Sequence, residues 1–418
     1  MKILWLVNIV MPELAVHLGK KPPVFGGWLT GALDAVRAAG HSLTICTTQE
    51  NAQRVRFCPD LQTTYLLLSA DVDFSAVLEQ EQPDLVHIWG TEFPQSHALA
   101  TAADPQKLLV TIQGSLEVIK DQARAGIPAH ICRDNFLHKL LRKLRKGGQS
   151  IDLQKKSFEA RARLEVQTLR HARYIHGGSA WGNQVAQTIH PGCTTFDANL
   201  ILRDSFYHAQ TWNYDDCEKH TIYALCTYPV KGFHKLLEAM PMVLARFPDA
   251  KIIAPGLGLS RRPYRGLRKA LMDAAPDYQW YLQGILDRYG LWDHAHFPSY
   301  LSEEQVQGQL RRAHVFVSPS SIENQSTALG EAMLLGVPSV ASRVGAMEEM
   351  IDTGKDGFLY DFENTEALAD GICRIFESRD LAEQFSQEGR IHAARTYDRE
   401  KNCRDLLNIY ERIGGGNT

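Results

Sequence analysis

Nowhere in these 418 residues does an apolar run approach the ~18 consecutive residues that a membrane-spanning helix needs. The apolar start, Met1 to Asn8, is too short for a signal-peptide core and has no small-residue cleavage site, so it reads as a first buried strand. The eight cysteines, at 46, 58, 132, 193, 217, 226, 373 and 403, include no CxxC pair. Their scatter argues against both a disulfide framework and a structural zinc site; it fits a reducing cytoplasm, with the thiols as small core residues. Positive charge is not in excess. Lys and Arg total 45 against 48 Asp and Glu, a formal net charge of −3, so there is no basic field to favour nucleic acid. Short repeats and low-complexity tracts are absent too. What remains, 44% hydrophobic and 22% charged, is ordinary for a globular chain, and at about 100–200 residues per domain the length predicts two or three domains.

Short apolar runs alternate with segments of helical period, the pattern of βαβ units and parallel sheets. The first set predicts strands at 2–8, 42–47, 85–89, 108–112 and 173–179. A helix at 28–39 follows Gly26-Gly27, with Gly40 as its C-cap. A second set begins near Thr221, with strands at 222–227, 251–255, 314–319 and 338–342 and helices at 232–247 and 326–335. Two such sets predict two Rossmann-like domains, joined through the polar stretch 208–220. Ligands of doubly wound sheets bind at the carboxyl ends of strands, so the expected site is the cleft between the domains.

The segment richest in chemistry is 314–342, HVFVSPSSIENQSTALGEAMLLGVPSVAS, a complete strand–loop–helix–strand unit. Ser326 or Thr327 can cap its helix, and Gly336 ends it. Glu323 then falls in the loop at the strand's carboxyl end and Glu331 inside an otherwise apolar helix. The helix start attracts phosphate, and a carboxylate can accept hydrogen bonds from two adjacent sugar hydroxyls. The arrangement suggests a donor clamp, with one glutamate on a ribose, the other on a sugar and a pyrophosphate between them. Two glutamates eight apart carry little information as bare spacing; their places on loop and helix are what give them weight. A buried carboxylate at 331 would be costly without a partner.

Glu323, seven residues, then Glu331-Ala-Met with Gly336-Val-Pro338 resembles the signature of family 4 glycosyltransferases of the GT-B fold. The resemblance extends over most of the chain: Gly26-Gly27 with Gly40-His41, Pro83-Asp-Leu-Val-His87, Lys231-Gly232, Gly345, and Lys355-Asp-Gly357-Phe-Leu. It implies an α/β chain of two Rossmann-like domains facing each other across a cleft: 1–207 on the acceptor side, 208–397 binding the nucleotide-sugar donor, and 398–418 as a helix and tail crossing back to the first domain. It implies a retaining hexosyltransferase acting in polysaccharide biosynthesis on a glycan or lipid-linked acceptor. A UDP-sugar is favoured as co-substrate, and neither cofactor nor metal is expected.

By the same resemblance, Glu323 contacts the donor sugar, Glu331 the nucleotide ribose and Lys231 the pyrophosphate. Gly26 and Gly27 let backbone approach the ligand, and Ser326 and Thr327 open the phosphate-facing helix. Three positions depart from the family. Its usual arginine, about five residues before the lysine, falls among Ala224, Leu225, Cys226 and Thr227. Gln113 stands where a histidine is common; it can hydrogen-bond but cannot act as a base. Gln325-Ser326 replaces the usual Phe-Gly, a change bearing on donor preference. A non-catalytic sugar-nucleotide binder, an epimerase and a glycogen-type synthase are the alternatives.

Other signals compete. Asp71-Val-Asp73 has the form of a metal-binding DxD, but it precedes a helical segment that Asp73 is placed to cap. Residues 136–146, FLHKLLRKLRK, read either as a basic amphipathic helix on the inner face of an anionic membrane or as a domain helix with its leucines in the core. Trp181 and the stretch 199–204 suit the acceptor side, with a core tryptophan the plainer reading.

Overall fold

The computed structural model describes residues 1–22, 26–132, 150–261 and 277–415, leaving aside the side chain of Trp28. The basic stretch 136–146 lies outside the described residues. The chain divides into two compact units. Unit 1 comprises Met1–Glu117, Ala160–Ser205 and Thr396–Thr418; unit 2 comprises Val118–Glu159 and Phe206–Arg395.

In unit 1 the strands are β1 (Lys2–Val7), β2 (Ser42–Gln49), β3 (Val55–Phe57), β4 (Thr63–Ser69), β5 (Leu85–Trp89), β6 (Leu108–Thr111), β7 (Tyr174–His176) and β8 (Thr194–Phe196). They form one sheet in the order β3-β4-β2-β1-β5-β6-β7-β8, parallel except for the antiparallel pair β3–β4. Strands β5 and β6 are buried at every residue and β1 at all but Lys2. That is why they read as unbroken apolar runs: a parallel sheet is covered on both faces. Chain order reverses at β1, which has β2 on one side and β5 on the other. The helix Gly27–Ala38 starts from Gly26 in a left-handed conformation, φ 85°. Its C-cap is Ala39, with Gly40 one residue beyond at φ 75°; the expected glycine is there, shifted by one position. Asp73 caps the helix Phe74–Glu81 by accepting from Ser75 N at 2.9 Å. The final helix, Arg399–Gly414, belongs to unit 1, where Leu406, Ile409, Tyr410 and Ile413 join the core around β1.

In unit 2 the strands are β9 (Thr221–Ala224), β10 (Lys251–Ile253), β11 (Ala295–His296), β12 (Val315–Ser318), β13 (Ser339–Ser342) and β14 (Phe358–Tyr360). All run parallel, in the order β11-β10-β9-β12-β13-β14. The chain leaves β9 toward one edge, returns, and continues from β12 toward the other. The switch point therefore lies between β9 and β12, and the loops following those two strands adjoin. Ligands of open α/β sheets bind at such crevices. Among the described residues, no helix is long and apolar enough to cross a membrane.

Candidate functional site

The loops after β9 and β12 are knitted together by backbone. Ser321 N donates to Val230 O at 2.8 Å, and Ser321 Oγ reaches the same carbonyl at 3.2 Å. Gly232, at φ 64°, passes so close to β12 that a Cβ there would collide with the Pro319 carbonyl. Only glycine meets both conditions, the left-handed backbone and the absent Cβ. This close passage sets Lys231, at the end of the short 3-10 turn Pro229–Lys231, beside the loop after β12.

Lys231 Nζ lies 2.5 Å from Glu323 Oε1, with the two side chains 24% and 11% exposed. Burial works against the lysine's charge, but the Glu323 carboxylate together with Tyr228 more than offsets it and holds the ammonium well above the ordinary lysine range. The same Oε1 accepts from Ser320 Oγ at 2.6 Å. The Glu323 backbone is fixed from a third loop: Ala346 N donates to Glu323 O at 3.1 Å, and Gly345, at φ 54°, packs too closely against that carbonyl to admit a Cβ. Ser342 Oγ in turn donates to the Ser320 carbonyl.

Three residues beyond Glu323, Ser326 is the N-cap of the helix Thr327–Leu335, accepting from Leu329 N at 3.4 Å. The helix therefore begins at the rim of the same loop, with its first-turn N–H groups and positive dipole end directed there. Glu331 lies one turn in and is 6% exposed. Lys231, Glu323, Ser326, Thr327 and Glu331 thus occupy two adjoining loops and one helix of unit 2. The place of the absent arginine is filled by Cys226, a fully buried thiol whose pKa burial pushes up. Lys231 is accordingly the cation this loop contributes.

Gly26, Gly27 and Gln113 lie in unit 1. Gly27 abuts the Arg203 side chain, which a Cβ would displace. Gln113 follows β6, and its Oε1 accepts from Asn8 Nδ2 at 3.0 Å, while its Nε2 is buried with no hydrogen-bond partner among the described residues. Gly90, at φ 96°, sits against the same carboxamide. These groups stand at the carboxyl ends of β1, β5 and β6, next to that sheet's own switch point.

Several residues of these sites carry no signal in the chain itself. Ser320 and Ser342 look like any loop or strand serine. Glu165, in the helix Ile151–His171, is fully buried; it accepts from Thr91 Oγ1 at 2.8 Å and from Glu117 N at 2.9 Å. It thereby ties the loop after β5 to the helix start that follows Gln113. Burial, opposed by these hydrogen bonds and reinforced by the charge of Glu92, raises its pKa to about 7.

Residues 211–392 match the family model described as glycosyl transferases group 1. That span lies within unit 2. The matched span covers Lys231, Glu323 and Glu331. Among curated relatives, phosphatidyl-myo-inositol mannosyltransferase of Mycobacterium tuberculosis is 28% identical over 224 residues, 52% of this chain and 53% of that protein. D-inositol 3-phosphate glycosyltransferase of Corynebacterium urealyticum is 25% identical over 190 residues, 44% of this chain and 41% of that protein. The chain spans about half the length of the curated relatives it matches. Sucrose-phosphate synthase from Thermosynechococcus elongatus superposes with a TM-score of 0.71 at 16% identity, covering 99% of both chains. HepE from Anabaena, crystallised with UDP and glucose, superposes at 0.65 and 15% identity, over 99% of this chain and 100% of that one. At those identities the likeness is one of fold, and the fold is GT-B. Around the unit 2 switch point, the described residues hold no group of three or more His, Cys, Asp or Glu side chains able to bind a metal ion.

Proposed function

We propose that the protein is a retaining glycosyltransferase that moves a hexose from a nucleotide diphosphate sugar, preferably a UDP-sugar, to a glycan or lipid-linked acceptor in polysaccharide synthesis on the cytoplasmic side of the membrane. The observation that carries the reading is the pairing of Lys231 with Glu323 beside the start of the helix Thr327–Leu335, at the switch point of the unit 2 sheet. A lysine and a helix start together suit a diphosphate. Glu331 would hold the ribose and Glu323 the transferred sugar. The similarity to a mannosyltransferase named for phosphatidyl-myo-inositol supports a lipid-linked acceptor, and the fold shared with a UDP- and glucose-bound neighbour supports a UDP-sugar.

In this reading the transfer is a substitution on one face of the sugar, without a covalent intermediate. The leaving phosphate oxygen would take the acceptor's proton while Lys231 and the helix dipole stabilise its developing charge. That charge balance needs no metal. A thermal-shift screen against sugar nucleotides in a chelating buffer tests the reading, because a ligand bound only to the native state raises stability by mass action. At least one UDP-sugar is expected to raise the melting temperature, and Glu331→Ala to abolish that shift. A flat panel refutes the reading. Release of free sugar from the donor separates an enzyme from a mere binder, and an inverted anomeric product rules out the same-face mechanism.

A further inference from the structure

The lysine and the carboxylate assigned to opposite ends of the donor neutralise each other. Lys231 Nζ is 2.5 Å from Glu323 Oε1. A diphosphate arriving at Lys231 would bring negative charge against a carboxylate already on the same ammonium, and like charges in a half-buried site repel strongly. The diphosphate and the carboxylate then compete for one ammonium. Glu323 is poorly placed to move: its carbonyl is held by Ala346 N, Gly345 backs it, and its Oε1 is also bonded at 2.6 Å to the hydroxyl of Ser320, itself 1% exposed. Lys231 carries its charge on a four-carbon stem with free torsions, and its ammonium donates to Glu323.

We infer that Glu323 acts as an internal stand-in for the donor's phosphate: binding of a diphosphate draws Lys231 away from Glu323, while Ser320 keeps the released carboxylate in place to receive the sugar hydroxyls. Phosphate occupancy thereby readies the sugar end of the site. Ser320 is a positioning residue in this exchange, acting through Glu323. The inference rests on the nucleotide-sugar reading above and adds to it an order of events, phosphate first and sugar second.

The exchange has an unusual consequence. Replacing a residue of the donor site should strengthen binding of the part of the donor that lacks the sugar. Glu323→Gln keeps the shape of the side chain and removes its charge. Isothermal titration with UDP and with inorganic pyrophosphate should show this variant binding both about two- to fivefold more tightly than the parent, the range expected for releasing a partly exposed ion pair. The gain should vanish when Lys231→Met is the background, since no lysine remains to be freed; this double-mutant comparison separates exchange from plain repulsion between Glu323 and the ligand. Glu323→Ala serves as a second variant and should show the same gain. Parent-like or weaker binding in both variants, or a gain that persists in full with Lys231→Met, overturns the exchange and leaves the nucleotide-sugar reading intact. If the parent itself binds neither UDP nor any UDP-sugar, the functional reading falls and the exchange falls with it.

Discussion

The hydroxyl of Tyr410 lies 2.7 Å from Nδ1 of His87, a residue 323 positions earlier in the chain. It also accepts from Trp5 Nε1 at 3.0 Å. At the far end of the path the Ala198 carbonyl can only accept from His176 Nε2–H, so with neutral rings the polarity passes back through Thr111 and His87, and the Tyr410 proton goes to His87 Nδ1. The rest of the chain of hydrogen bonds then has one polarity. His87 Nε2–H donates to Thr111 Oγ1 at 2.7 Å, Thr111 to His176 Nδ1 at 3.1 Å, and His176 Nε2–H to the Ala198 carbonyl at 2.7 Å. Burial lowers the pKa of both histidines, in agreement with two neutral rings. The last helix is thus joined to β1, β5, β6 and β7 through a fully satisfied polar path inside the unit 1 core.

Tyr410→Phe should destabilise unit 1 by about 2–3 kcal/mol, since it leaves the buried Trp5 N–H and His87 Nδ1 without their partner. Denaturant unfolding should show a lower midpoint with an unchanged slope. A loss below about 0.5 kcal/mol would mean that the path contributes little.

Gly232→Ala should lower the melting temperature and weaken UDP binding together. Alanine at φ 64° is strained, and its Cβ meets the Pro319 carbonyl; a cost of about 1–3 kcal/mol is expected. Because the clash is with backbone, relief requires the two loops to separate, and Lys231 moves with them. Parent-like affinity and stability in this variant would show that the loops part freely.

His392 donates toward Asp356 Oδ2 at 2.7 Å. Its pKa is raised, chiefly by that hydrogen bond, against the opposing effect of burial. A raised folded-state pKa means that the contribution is fully present below the unfolded value of 6.5 and is lost as pH rises through the folded value. The stability of the parent should therefore decline above pH 6.5 relative to His392→Gln, by less than about 1 kcal/mol because the side chain is partly exposed. Parallel stability curves for the two proteins would refute this.

Glu165 has the opposite chemistry and the same sign. Its carboxyl pKa is raised from 4.5 to about 7, first by burial. The folded state consequently binds more protons than the unfolded state between those values, so stability should fall as pH rises from about 5 to 7. Glu165→Gln cannot titrate and should flatten that slope, a difference visible in melting temperatures across the range. Because Glu165 bonds both Thr91 and the start of the helix after Gln113, transfer activity should show a pH dependence that the variant lacks.

Much of the architecture was legible in the chain. Buried parallel strands leave unbroken apolar runs, and the serine before residues 327–335 and the glycine after them mark a helix by local capping chemistry. The strands that escaped notice are short or lie near an edge: β3, β4, β8, β11 and β14. Four of them, β3, β8, β11 and β14, are edge strands of two or three residues, too short to show a period; β4, seven residues between β3 and β2, carries a legible apolar run, Tyr65-Leu-Leu-Leu68.

The sequence by itself determined the two sets of alternating elements, the helix start at Ser326, and the presence of Glu323, Glu331 and Lys231 on the segments expected to carry them. These are properties of local period, capping and residue type. Only the tertiary structure decided that Lys231 and Glu323, 92 positions apart, are each other's partners, that Ser320 shares that contact, and that Glu165 and Tyr410 close circuits with loops and strands far away in the chain. The reason is strand order. Placing β12 beside β9 makes their loops neighbours, and no local pattern in either loop records which other loop will lie against it.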